Sequence, residues 1–317
     1  MAISVTTIAA HALDANAKEI ADAIINNNLL SAWLKANGRV KTVSGGLQFN
    51  EKVMYNEAGG YDWINKDEEI PLSTTEFLTD AVYQIRILAG PLKIYHFDKM
   101  RASGEAQIFD LVETTIENAK STMSNRMGAA VFGDNGTSSK ILHGIQHIIN
   151  TTAGVSVGGI SPSDFARWEN QRITTGTASF GSNQAGLSIM RNLASACARN
   201  ENDYPDLMVT TSAIWGLYYL ACTNVARLQD SKVGSLGYKT LDFMGIPVGW
   251  DQNCPADNLY AVNSRYLRLR VLEGGEFVTS DWERVQGQLA DYATMHVYCQ
   301  LTTNNREKLG VATSITG

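Results

Sequence analysis

The stretch from Ser103 to Gly133, SGEAQIFDLVETTIENAKSTMSNRMGAAVFG, is an unbroken helical pattern placed directly after the strand-like sequence of residues 39–98. Ile108, Val112, Ile116, Ala119, Met123, Met127 and Ala130 recur every three or four positions, which puts them on one stripe of a helix. Ser103 is placed to N-cap that helix and Glu105 lies in its positive first turn. Gly133, followed by Asp134, Asn135 and Gly136, ends it. At ~1.5 Å per residue such a helix is ~40 Å long. That is far beyond the usual helix of a compact domain and reads as a spine on which other parts are hung; an ordinary long core helix is the alternative.

Composition narrows the class. With 317 residues and 44% hydrophobic content the chain has enough apolar surface for one large core or two moderate ones. A formal net charge of -6 without a run of basic residues excludes a tight grip on nucleic-acid phosphates. The start, MAISVTTIAAHALDANAKEI, lacks the basic region of a secretory signal, and the longest apolar run, Ala213 to Cys222, is too short to cross a bilayer. A soluble cytoplasmic product without membrane contact is expected. Cys197, Cys222, Cys254 and Cys299 are scattered and read as buried reduced thiols. His143 and His147 have the spacing of two helix-borne ligands, but HGIQH lacks the glutamate of a zinc-protease motif and no third ligand is indicated. No metal and no cofactor is expected.

Along the chain, residues 1–37 read as an amphipathic helical arm with Ile20, Ile24, Leu29, Leu30, Trp33 and Leu34 as apolar points, interrupted by Asn26, Asn27 and Asn28. From Arg39 the period changes to two. RVKTV, LQFNEKVMY and Ala81 to Leu88 read as strands, the last alternating Tyr83, Ile85 and Ile87 with Gln84 and Arg86. Between them lies YDWINKDEEIPLSTTE, with a charged tip of Lys66, Asp67, Glu68 and Glu69 before Pro71. A two-stranded ribbon is marginal alone in water, so it needs a surface, either on a neighbouring subunit or within its own domain.

Residues 134–186 look loop-dominated apart from ILHGIQHII and SDFARWENQ. An α/β pattern follows: a helix over Ala185–Arg199, a buried strand at DLMVTT, a helix from Ser212, acting as its cap, to Thr223, and strands at MGIPVGW, NLYAVN and YLRLRVLE. In YLRLRVLE, Arg268 and Arg270 alternate with Leu267, Leu269 and Val271. The last strands are expected at Ala293–Leu301 and Leu309–Ile315. One catalytic motif occurs, Gly154-Val-Ser156-Val-Gly158, the G-x-S-x-G pattern of a nucleophile elbow. It admits an α/β hydrolase with Ser156 as nucleophile, but Gly158, Gly159 and Pro162 argue against the helix such an elbow needs.

An arm, a ribbon, a spine helix and a final α/β unit, in that order, resemble the tailed-bacteriophage major capsid proteins of the Hong Kong ninety-seven type. SGEAQIFDLVETTIENAKSTM, FGDNGTSSKILHGIQHII and GGISPSDFARWENQ look like the central region of one phage coat subfamily. DLMVTTSAIWGLYYL and GIPVGWDQNCPADNLYAVN look like the family's axial domain, and HVYCQLTTNNREKLGVAT resembles the return to its peripheral domain. The resemblance covers essentially the whole chain.

It implies an α+β fold with an N-terminal arm at 1–37, an extended β-ribbon loop at 38–98, a peripheral domain at 99–199 with its spine at 104–132, an α/β axial domain at 200–290, and C-terminal strands at 291–317. It also implies a structural protein and not an enzyme, one that self-assembles into pentamers and hexamers of an icosahedral shell around double-stranded DNA. Assembly would take place in the host cytoplasm and end in the virion, with a portal protein as partner. Since the chain reaches the arm at once from Met1, a separate scaffolding protein is expected. Trp63, Phe77 and Tyr83 are candidate aromatic anchors to the neighbouring subunit, and Lys66, Asp67, Glu68 and Glu69 are candidate ion-pair partners. Some members join subunits by a Lys–Asn isopeptide bond. Here Lys66 is present, but the expected acceptor strand, residues 293–301, contains no Asn, so no crosslink is expected. An encapsulin-like nanocompartment, similar in fold but enclosing a protein, is the alternative.

Overall fold

The computed structural model describes residues 23–26, 28–56, 59, 61–69, 76–101, 105–180, 185–198, 203–222 and 241–316. Ile20, Asn27, Pro71, Ser103 and the side chains of Glu105 and Ile108 lie outside the described residues.

In chain order the elements are α1 (Leu29–Ala36), β1 (Val40–Val43), β2 (Gln48–Met54), β3 (Leu78–Gln84), β4 (Arg86–Tyr95), α2 (His96–Arg101), α3 (Glu105–Phe132) and α4 (Ile145–Ile148). Then follow β5 (Gln171–Ser179), α5 (Ala185–Cys197), β6 (Leu207–Thr210), α6 (Ser212–Ala221), β7 (Leu241–Phe243), β8 (Ile246–Trp250), β9 (Leu259–Val262) and β10 (Leu267–Leu272). The chain closes with β11 (Val278–Thr279), β12 (Glu283–Arg284), β13 (Ala290–Thr303) and β14 (Gly310–Thr316).

The spine is α3, with 28 residues. Val112, Ile116, Met123 and Met127 of the expected stripe are buried, with Ala119 and Ala130 packed beside them. Its C-terminal carbonyls are satisfied by side chains. Asn135 Nδ2 donates to the Ala130 carbonyl (3.2 Å) and Gln146 Nε2 to that of Phe132 (2.7 Å). Gly144 packs so closely on the carbonyls of Ala130, Val131 and Gly133 that no Cβ fits there.

The spine lies against β4 of the first sheet, whose central strand is β13. β4 runs antiparallel to one side of β13, while β10, β11 and β12 pair with its other side and β1 adds to β10. The stretch Ala81–Leu88, expected as one strand, is two: the chain leaves the ribbon after Gln84 and enters the sheet at Arg86. This reverses the alternation, so Ile87 is exposed. β4 also continues through Gly90-Pro91, which an edge strand tolerates because only one of its sides needs donors.

The second sheet has the order β5-β14-β9-β6-β8-β7 and separates two cores. Met208, Leu259 and Ala261 face α5 and α6, whereas Leu207, Val209, Tyr260 and Val262 face the core shared with the spine and α1. Burial on both faces explains the nearly continuous apolar runs of β6 and β9. α6 is capped by Thr211, whose Oγ1 accepts from the Ile214 amide at 3.5 Å, and not by Ser212 as expected. β5 lies within the region expected to be loop; it pairs in parallel with β14.

α1 is part of the core. Asn28 caps it by accepting from the Leu30 and Ser31 amides (3.0 and 3.2 Å), and the Leu29 amide donates to Asp251 Oδ2 at the end of β8 (3.1 Å). The carboxylate thus sits at the positive end of a helix and ties α1 to the second sheet. Cys197, Cys254 and Cys299 are buried free thiols; burial pushes Cys197 and Cys299 up to about 12, which leaves them unreactive.

Candidate assembly interface

β2 and β3 form a two-stranded antiparallel ribbon, registered from Gln48 opposite Gln84 to Met54 opposite Leu78. Its burial alternates as the pleat requires. Phe49, Glu51, Val53, Ala81 and Tyr83 face inward, and Gln48, Asn50, Lys52 and Met54 face solvent.

The inner face is fastened by polar contacts that periodicity alone does not reveal. Glu51 is 3% exposed and lies between two arginines of β10. Arg268 Nη1 donates to its Oε2 (2.6 Å) and Arg270 Nε to its Oε1 (2.7 Å), while Thr302 Oγ1 also donates to Oε1 (2.9 Å). The polar positions of an alternating strand therefore face a single carboxylate on the ribbon. Tyr83, expected to anchor to a neighbouring subunit, is 1% exposed and donates its hydroxyl to the Thr303 carbonyl at 3.0 Å. This corrects that expectation: Tyr83 holds the ribbon to its own chain, and burial raises its pKa so that it remains a donor.

The G-x-S-x-G loop supports the same base. Ser156 is exposed, and the residues after it form a turn closed by the Val157–Ile160 bridge, with no helix. The Val82 amide donates to the Gly158 carbonyl (2.9 Å), and a Cβ on Gly158 would lie 2.9 Å from that of Ala81. The second glycine is thus explained by close approach of the loop to the ribbon and by its φ of +61°. The elbow expected for a hydrolase is not formed. Arg306, 1% exposed, binds this loop to its neighbours by donating to the carbonyls of Ile148, Val155 and Trp168 and to Asn170 Oδ1 at 2.8 to 3.1 Å.

The outer end of the ribbon differs. Trp63 is 100% exposed, its sequence neighbours Tyr61 and Ile64 are exposed, and so is Phe77, whose carbonyl accepts from the Tyr55 amide. The turn at Lys66-Asp67 is closed by Glu68, whose amide donates to the Asn65 carbonyl and whose Oε2 accepts from the Asn65 amide at 2.9 Å. Lys66, Asp67, Glu68 and Glu69 are all exposed. The tip therefore keeps Trp63 and Phe77 of the three expected anchors and all four charges at the surface.

A cleft of about 340 Å³ opens between the end of the spine, the start of β4 and the loop after α3. Ile87, Met127, Ile141 and Leu142 make it apolar, and among the described residues its charged lining is Arg86, Arg126 and Lys140. Arg86 is held by the carbonyls of Ser138 and Ser139 and approaches His143 Nε2 at 3.4 Å. His143 packs edge-on to His147, with ring centroids 4.7 Å apart. Burial, with the cationic neighbours, lowers His143 to about 4; burial also lowers His147, which lies 3.7 Å from Asp134. Among the described residues no group of three or more His, Cys, Asp and Glu is placed to hold a metal, and no described helix is long and apolar enough to cross a membrane.

No family model matches the sequence, and no curated protein does. The fold, by contrast, is that of tailed-phage major capsid proteins of the Hong Kong ninety-seven type, an α+β architecture of ribbon, spine helix and α/β unit. The structure is similar to the capsid asymmetric unit of cyanophage A-1(L), with a TM-score of 0.69 and 16% identity over 92% of this chain and 94% of that one. It is also similar to the capsid of a native GTA particle, with a TM-score of 0.60 and 12% identity over 89% and 90%. The SrpI encapsulin complex from Synechococcus elongatus PCC 7942 matches with a TM-score of 0.54 and 12% identity over 89% and 87%.

Proposed function

We propose that the chain is a major capsid protein whose copies assemble through the ribbon into pentamers and hexamers of an icosahedral shell around packaged double-stranded DNA. The observation that carries this reading is the ribbon's division into a base locked to its own chain and a tip that leaves Trp63 wholly exposed. A monomeric protein gains nothing from holding an indole in water, whereas buried aromatics dominate the energy of interfaces. Coverage of nearly the whole chain by capsid folds supports the same conclusion.

In this reading residues 1–37 are the arm, 38–98 the extended loop, 99–199 the peripheral domain, 200–290 the axial domain and 291–317 the returning strands. Trp63, Phe77, Lys66, Asp67, Glu68 and Glu69 face the adjacent subunit. The protein acts by self-association and not by catalysis, with a scaffolding protein and a portal protein as partners. It assembles in the host cytoplasm and resides in the virion. The net charge of -6 suits a wall that confines DNA without gripping it. Association is non-covalent, so heated assemblies run as monomers on a denaturing gel; a covalent ladder would contradict this.

A nanocompartment holding a protein cargo is the second reading, favoured by the match to the encapsulin. Negative-stain electron microscopy of the purified protein tests both. Closed shells or ring-shaped capsomers are the expected result, and nucleic acid or protein inside the shells separates the two readings. A uniform monomer under every assembly condition contradicts both.

A further inference from the structure

We propose that the apolar cleft at the end of the spine receives the ribbon tip of a second copy of this chain, with Trp63 seated between Met127 and Ile141. The proposal rests on the shell reading and adds the receiving site to it. Two observations on opposite parts of the molecule carry it. The cleft is apolar inside, and its charged lining residues, Arg86, Arg126 and Lys140, are all cations. The tip, YDWINKDEE, is apolar at Tyr61, Trp63 and Ile64 and carries four carboxylates against one lysine. Each surface has what the other lacks, and such complementarity fixes register and excludes wrong partners.

The occupant comes from another copy because the chain's own Trp63 is fully exposed and so fills no cleft. Arg126 and Lys140 have no carboxylate partner among the described residues, and both are placed to meet an acidic tip. Both are exposed, as a rim contact requires, while Met127 and Cys299 form the buried floor. Arg86 is already held by its carbonyl contacts and serves as a fixed wall.

The test uses full-length chains, each with one cysteine introduced beside the four native ones, which are the same in every mixture. Chains with Ile64→Cys are mixed with chains bearing Ile141→Cys, or with chains bearing Leu289→Cys as a distant exposed control, then assembled and oxidised. Particles are first checked by electron microscopy. The expected result is a disulfide dimer at least about tenfold more abundant for Ile141→Cys than for the control, a ratio within reach of a single register-fixing contact. Shells that form without that preference overturn the cleft and leave the shell reading standing. Absence of capsomers in every mixture overturns the shell reading and this proposal with it.

Charge reversal gives a second readout. Arg126→Glu with Lys140→Glu lowers capsomer yield, and Asp67→Lys with Glu69→Lys on the tip restores it. Loss without restoration means that the cleft takes a different acidic partner, and the proposal fails.

Discussion

The two ends of the ribbon contain similar residue types used in opposite ways. At the base, an acid and an aromatic, Glu51 and Tyr83, are buried and fully bonded within the chain. At the tip, the acids and aromatics around Trp63 are in water. The base consequently belongs to folding and the tip to association. Mutations at the two ends should separate stability from assembly.

The largest effect on stability is expected from Glu51→Ala, which leaves Arg268 and Arg270 facing each other without their shared carboxylate. A loss of about 3 kcal/mol, at the lower end for a broken buried pair because both arginines retain some solvent, is expected in urea denaturation of the unassembled protein. No measurable change would mean that the ribbon base is not fastened there. Gly158→Val comes next, at about 2 kcal/mol, because the side chain meets Ala81 and the position holds a positive φ that valine disfavours. Thermal unfolding reads this directly, and an unchanged midpoint would remove the loop as a support.

A pH effect follows at the histidine pair beside Arg86. The pKa values of His143 and His147 are depressed in the folded protein, so the unfolded chain binds protons more readily. Their contribution to stability is complete above about pH 6.5. It falls as the pH drops toward the His143 value of about 4. Replacing both by Gln should flatten the decline in melting temperature across that window. An unaltered decline would assign it to carboxylates elsewhere.

Tyr83→Phe removes the hydroxyl that donates to the Thr303 carbonyl at 3.0 Å and accepts from the Thr303 amide at 3.4 Å, and should cost about 1 kcal/mol. Trp63→Ala marks the other end of the scale: it should change the stability of the unassembled chain by less than about 0.5 kcal/mol. In sedimentation it should nonetheless sharply reduce capsomers. A Trp63→Ala chain that assembles normally would break the contrast between base and tip.

Much of the fold was legible because it rests on periodicity. The stripe through Val112, Ile116, Met123 and Met127 locates the spine, and alternation in residues 267–272 locates β10. Other features depend on partners distant in sequence. β5 is rich in Thr and interrupted by Gly176, so it resembles a loop until β14 pairs with it. Tyr83 alternates as an anchor for any surface would, and only the fold determines that this surface is its own β13. The ion cluster was half visible, as Arg268 and Arg270 on one face of a strand, but nothing local marked Glu51 as their partner. Arg306, in a polar turn, gave no sign of its burial. The exposed tip was legible as charge and aromatics, whereas the cleft is assembled from three separate segments.

Hydrogen–deuterium exchange, compared between unassembled chains and purified shells, tests the central claim most directly. Peptides covering β2 and β3 should be protected in both states, and the peptide covering residues 61–69 should gain protection only in shells. Protection of that peptide in the unassembled chain, or its continued exchange in closed shells, would contradict the account.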